Sequence, residues 1–160
     1  MNRGWYSWKP WLAARGPERD TARGMSQENV ELVRKAFEGA GARGLEKTAK
    51  TYWHPEVEYV EDPRWPGASR YKGREAVLRC FQAYMEALGR EEDLAVTVER
   101  VFDAGERQVP FVRVQGRAST SGVPHEHLWG YVVEVREGLI VYFRAYYEPG
   151  EALEAAGLSE

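Results

Sequence analysis

Apolar residues return along this chain with two periods, and the change from one to the other divides it. Val30, Val33, Phe37 and Ala40 recur at helical spacing, with Ser26 where a cap would stand and Glu28 in the first turn. The glycines Gly39, Gly41 and Gly44 close that run, so a first helix is expected from Ser26. A second, shorter helix carries Leu45, Ala49, Tyr52 and Trp53 on its apolar side. It stops at His54-Pro55, because a residue before proline avoids helical angles. Residues 57–61 alternate as a strand that closes at Asp62-Pro63, and an aromatic, Pro- and Gly-rich loop over residues 64–73 leads to a third helix lined by Val77, Phe81, Tyr84 and Leu88.

From there the period is two. Residues 94–103, 108–118, 125–136 and 139–148 read as strands, separated by turn signals at Ala104-Gly105-Glu106, residues 119–124 and Glu137-Gly138. Trp129, Tyr131, Val133 and Val135 alternate with Leu128, Gly130, Val132 and Glu134, and Tyr142, Phe143, Tyr146 and Tyr147 follow the turn. The last two strands therefore form a hairpin with an aromatic face. Rings at every second position are too wide to lie flat on another sheet, so this face is expected to curve around helices or a small molecule. Helices first and a meander after is an α+β plan, with three helices on the concave face of a curved sheet and a short helix over residues 151–156 at the end.

Composition narrows the partners. The 160 residues, 43% of them hydrophobic, suffice for one domain with a core and are few for two. A net charge of -3 offers no basic excess to displace counterions, which argues against nucleic acid, and no apolar run approaches membrane-spanning length. Cys80 is the single cysteine, so neither an internal disulfide nor a zinc site built on cysteine pairs is available; a cytoplasmic protein fits best. Residues 1–24 differ from the remainder. Trp5, Trp8 and Trp11 sit three apart, but Gly4, Pro10, Gly16 and Pro17 disfavour a helix, and the segment reads as a disordered extension before a domain over residues 25–160. A docking arm that uses its tryptophans is the other reading.

Four segments in order, SQENVELVRKAF, HPEVEY, YKGREAV and GLIVYFRAYYEPGEALEAAGLSE, resemble the SnoaL-like branch of the nuclear transport factor 2-like superfamily. The resemblance implies a cone-shaped α+β fold, its curved sheet antiparallel or mixed, with a pocket between sheet and helices. It implies a range of functions, because the superfamily includes ketosteroid isomerases, polyketide cyclases, limonene epoxide hydrolases, dehydratases and small-ligand binders. Sheets of this superfamily often pair through their outer face, where this chain has Val132, Arg144 and Tyr146, so a homodimer is expected.

Carried over residue by residue, the isomerase pattern is partial. Its general base lies at the end of the first strand, where Glu61 alternates with Val57 and Tyr59 and should point inward. A carboxylate buried there suits proton transfer; the competing reading has Glu61 or Asp62 end the strand and face water. Tyr131 corresponds to the inward oxyanion donor on the third of the long strands, with His127 beside it. The donor expected on the first helix is absent, since Phe37 offers no hydroxyl, and Ala145 stands where the hydrolases and cyclases place an acid. Trp53, Tyr59, Phe81, Tyr84, Trp129, Phe143 and Tyr147 are the expected ligand walls, closing on a small apolar or aromatic ligand. His125-Glu126-His127 with His54 could supply metal nitrogens, but His-x-His alone is weak, and neither metal nor cofactor is expected. The reaction this favours is proton abstraction next to a carbonyl, as in an isomerase or aldol-type cyclase, on an apolar polyketide- or steroid-like substrate. The alternatives are ligand binding without chemistry and, further off, epoxide hydrolysis.

Overall fold

The computed structural model describes residues 16–41, 44–90 and 93–158. In chain order its elements are α1 (Gly16–Glu38), α2 (Leu45–Tyr52), β1 (Trp53–Val60), β2 (Arg70–Lys72), α3 (Arg74–Leu88), β3 (Ala95–Asp103), β4 (Arg107–Arg117), β5 (Pro124–Arg136), β6 (Leu139–Tyr146) and α4 (Pro149–Ala155). The six strands form one mixed sheet in the order β2-β1-β6-β5-β4-β3. Only β1 and β6 run parallel; the remaining pairs are antiparallel. The α+β class and the curved sheet with its helices are as the sequence led us to expect.

Alternation along the strands separates two apolar layers. On the inner face Val112, Val114, Trp129, Tyr131, Val133, Phe143 and Ala145 meet Val33 and Phe37 of α1, Leu45 and Ala49 of α2, and Val77, Phe81 and Met85 of α3. On the outer face Val109 and Val132 meet Ala152 and Leu153 of α4, with Phe102, Phe111 and Tyr146 around them. Gly130 makes that second layer possible. A Cβ there would lie 2.8 Å from Pro149 Cα and 3.0 Å from the Ala152 Cβ, so α4 rests on the strand through a position that only glycine leaves open. Val132, expected on an open outer face, is therefore 2% exposed and covered by the chain's own last helix.

Several boundaries differ from the pattern. Helix α1 opens at Gly16, not Ser26, because a proline such as Pro17 suits a helix's first turn, where its missing N–H costs nothing. The disordered extension read over residues 1–24 is thus helical from Gly16; the part over residues 1–15, with its tryptophans, lies outside the described residues. Ser26 is no cap. Its hydroxyl donates to the Gly105 carbonyl at 3.4 Å, tying α1 to the β3–β4 turn. Trp53 begins β1 instead of ending α2. Pro55 is tolerated inside that strand because the β1–β6 register shifts between Trp53 and Glu58, so the ladder is already interrupted where the proline lacks a donor. Strand β2 lies within the segment read as loop; at three residues it is too short for a period to show, and pairing with Glu58, Tyr59 and Val60 holds it.

Candidate functional site

The C-terminal ends of β1 and β6 and the middle of β5 meet α3 at one corner of the inner layer. Strand β1 delivers Tyr59 and, just beyond its end, Glu61 and Asp62; α3 delivers Cys80, Phe81 and Tyr84; β5 and β6 deliver Trp129 and Ala145; Trp65 arrives from the β1–β2 connection. Together they enclose a cavity of about 10 Å³, room for roughly one water molecule. Ligand pockets run to about 300–1,000 Å³. The rings expected to surround a void interlock instead. Tyr59 stands 4.8 Å from Phe81 and 4.6 Å from Phe143, and Trp65 stands 4.9 Å from Tyr84 and 6.0 Å from Trp129, all four contacts tilted or edge to face.

Of the residues singled out from the sequence, Glu61, Tyr59, Phe81, Tyr84 and Trp129 share this chamber. Trp53, Tyr131 and Phe143 form the layer beneath it, with Trp53 5.7 Å from Phe143 and Tyr131 packed 4.9 Å from Phe37 and 6.3 Å from Phe143. His127 and Tyr147 are not among its walls. They stack on each other at 4.0 Å, and His127 turns Nε2 to the Tyr147 carbonyl at 2.8 Å, so it is not aimed at an oxyanion in the chamber. His125 likewise turns Nε2 to the Leu88 carbonyl, and among the described residues no cluster of three metal-binding side chains occurs.

The two adjacent carboxylates have opposite surroundings. Asp62 is 3% exposed. Its Oδ1 accepts from the Arg64 backbone N–H at 2.8 Å and Arg64 Nε at 3.1 Å; its Oδ2 accepts from Arg64 Nη2 at 2.8 Å and the Tyr147 N–H at 2.7 Å. Burial alone would raise its pKa, but the Arg64 guanidinium and the two backbone donors hold it down at about 2. Glu61, half-buried, meets only neutral donors among the described residues: its Oε1 accepts from the Ser69 N–H at 3.0 Å and the Tyr71 hydroxyl at 3.5 Å, and its Oε2 from the Cys80 thiol at 3.7 Å. Asp62 is thus fixed structure, and Glu61 the carboxylate with unneutralised charge facing the chamber.

Acids around Glu61 stay protonated. Burial first, then the nearby Glu61 carboxylate, pushes the Cys80 thiol up to about 11. Burial, then Cys80 and Glu61, pushes Tyr71 up to about 12. Tyr59, Tyr84 and Tyr131 are also raised, again chiefly by burial, and mutual repulsion of their phenolates adds to this at Tyr59 and Tyr84. A phenol in this state is a hydrogen-bond donor at any physiological pH. Sequence reading missed Trp65, Tyr71 and the Asp62–Arg64 pair as parts of this corner. The visible signal was the aromatic content of the loop over residues 64–73, which has no period to give its side chains a direction.

Comparison with known proteins agrees with this architecture. A SnoaL-like domain model matches residues 33–143. No curated protein sequence is a significant match. Among solved structures, one named for SnoaL-like polyketide cyclases, from Jannaschia sp. CCS1, has TM-score 0.65 at 22% identity over 75% of this chain and 85% of its own. A nuclear transport factor 2-like protein from Burkholderia xenovorans LB400 has TM-score 0.59 at 25% identity over 81% and 95%. A protein of ketosteroid isomerase-like fold from Catenulispora acidiphila, in complex with trimethylamine, has TM-score 0.55 at 19% identity over 81% and 92%. The family model spans most of the inner layer, from Val33 of α1 to Phe143 of β6, and the chain belongs to the SnoaL-like domain family.

Proposed function

We propose that this chain binds a small ring-bearing carbonyl compound at the Glu61 corner and moves a proton next to its carbonyl, as an isomerase or aldol-type cyclase does. The observation that carries this reading is the Glu61 carboxylate, half-buried on an aromatic-walled chamber, with neutral donors and no cation among the described residues to neutralise it. Such a carboxylate is a base. It takes the proton from the carbon beside the carbonyl, the electron pair of that C–H bond moves into the enolate, and the enolate oxygen accepts a hydrogen bond from a buried phenol. Tyr131 is the donor the family pattern suggests; Tyr84 shares the chamber wall with Glu61 and is the nearer candidate. Return of the proton to a different carbon completes an isomerisation. Attack of the enolate carbon on a second carbonyl completes a cyclisation.

Exchange of α-protons from 2-tetralone in heavy water, followed by NMR, tests it. Glu61→Gln should retain binding and lose exchange by about two orders of magnitude or more, the usual contribution of a positioned base. Equal exchange in the variant and the native chain would overturn the role of Glu61. A second reading, ligand binding without chemistry, is favoured by the near-closed chamber and by the fold neighbour that holds trimethylamine. Binding of the ketone with no exchange above the solvent rate, in either protein, would select it.

A further inference from the structure

One wall of the chamber belongs to no helix or strand. Tyr59, Tyr84 and Trp129 stand on β1, α3 and β5, whereas Trp65 stands in the connection between β1 and β2. Its indole meets Tyr84 at 75° and Trp129 at 63°, the edge-to-face seat a flat guest would take against the same two rings. With Trp65 in place the cavity holds about one water; with Trp65 swung out, the space its own bicyclic ring had filled becomes available.

The segment that carries Trp65 is closed at its neck, where the Glu61 N–H donates to the Ser69 carbonyl at 3.1 Å and the Ser69 N–H donates to Glu61 Oε1 at 3.0 Å, and is lightly fastened between those ends. Its internal backbone bonds run from the Trp65 N–H to the Asp62 carbonyl at 2.9 Å and from the Ala68 N–H to the Trp65 carbonyl at 3.0 Å. Asp62 anchors one end by holding the Tyr147 N–H. Arg64 then bridges from Asp62 to Glu151 on α4 and lies 5.7 Å from the Tyr147 ring. The Arg64 and Glu151 side chains are each 48% exposed, so water can take over that bridge while Asp62 stays buried on Tyr147.

We propose that Trp65 is a resident guest which a ring-bearing ligand displaces, that the space it vacates sets the accepted size at about two fused rings, and that the Arg64–Glu151 bridge is the latch. The proposal rests on the reading of this chamber as the ligand site. Isothermal titration with indole and amide hydrogen exchange test it together. Trp65→Ala should bind indole at least about tenfold more tightly than the native chain, because no resident ring must first be displaced. In the native chain the Trp65 and Ala68 amides should exchange together, faster than global unfolding allows, while the Tyr147 amide on Asp62 stays protected. Glu151→Gln should speed those two amides about two- to fivefold, the scale of an exposed ion pair.

Equal indole affinity in Trp65→Ala and the native chain would overturn the proposal. So would exchange of the Trp65 and Ala68 amides only with global unfolding in both the native chain and Glu151→Gln, a measurement that remains decisive if Trp65→Ala fails to fold. Failure of the proton-transfer reading looks different. Tight indole binding by Trp65→Ala with no α-proton exchange from 2-tetralone would remove the chemistry and leave the displaced tryptophan standing.

Discussion

Asp62→Asn should destabilise the fold by an amount that pH can switch off. The carboxylate accepts four hydrogen bonds, two from the Arg64 side chain and two from backbone N–H groups. An asparagine keeps one acceptor oxygen, enough for Tyr147, and turns an NH2 toward the Arg64 donors, so the charge is lost and one side of the pair becomes repulsive. A depression from 3.8 to about 2 corresponds to roughly 2 kcal/mol in favour of the ionised, folded form. That is an upper value, since Arg64 is half in water and its pairing is screened. We therefore expect a penalty of about 1–2 kcal/mol at pH 7. Because the folded pKa lies below the unfolded one, this stability is complete well above pH 3.8 and is lost as pH falls toward the folded value of about 2. Urea unfolding followed by tryptophan fluorescence at pH 7, 5, 4 and 3 measures the gap between native and variant proteins, which should narrow only across the last two steps. An unchanged midpoint at pH 7 would refute the role of Asp62 as anchor. A gap that stays constant down to pH 3 would show that the loss is steric and not electrostatic.

Two further outcomes depend on the outer face. Gly130→Ala should cost about 0–2.5 kcal/mol net in chemical denaturation: overpacking against Pro149 and Ala152 costs about 1–3 kcal/mol, and relief of a glycine inside a strand returns about 0.5–1 kcal/mol. A more stable variant would mean that α4 does not bear on β5. We further propose a homodimer through the part of the outer face around Arg144 and Tyr146, which stay half-buried, since Val132 is already covered by α4. Light scattering that finds only monomer at micromolar concentration would dispose of it.

Local chemistry alone determined the order of helices and strands other than β2, the hairpin turn at Glu137-Gly138 and the face of β5 that carries Trp129, Tyr131 and Val133, because period and turn residues depend only on near neighbours in the chain. A family pattern visible in Glu61 and its flanking strand also led to the corner where the chamber lies. What the rings do once assembled was not legible. Tyr59, Phe81, Tyr84 and Trp129 could equally line a void or fill it, and the distances that decide come from three separate elements and a loop. The different fates of Glu61 and Asp62 were likewise hidden, since the Arg64 guanidinium, the Tyr147 N–H and Glu151 converge only when β6 pairs with β1 and α4 folds back onto β5. Sequence fixes which way a strand residue points. Only tertiary structure sets what meets it there, and a carboxylate's charge and a cavity's volume are both properties of that meeting.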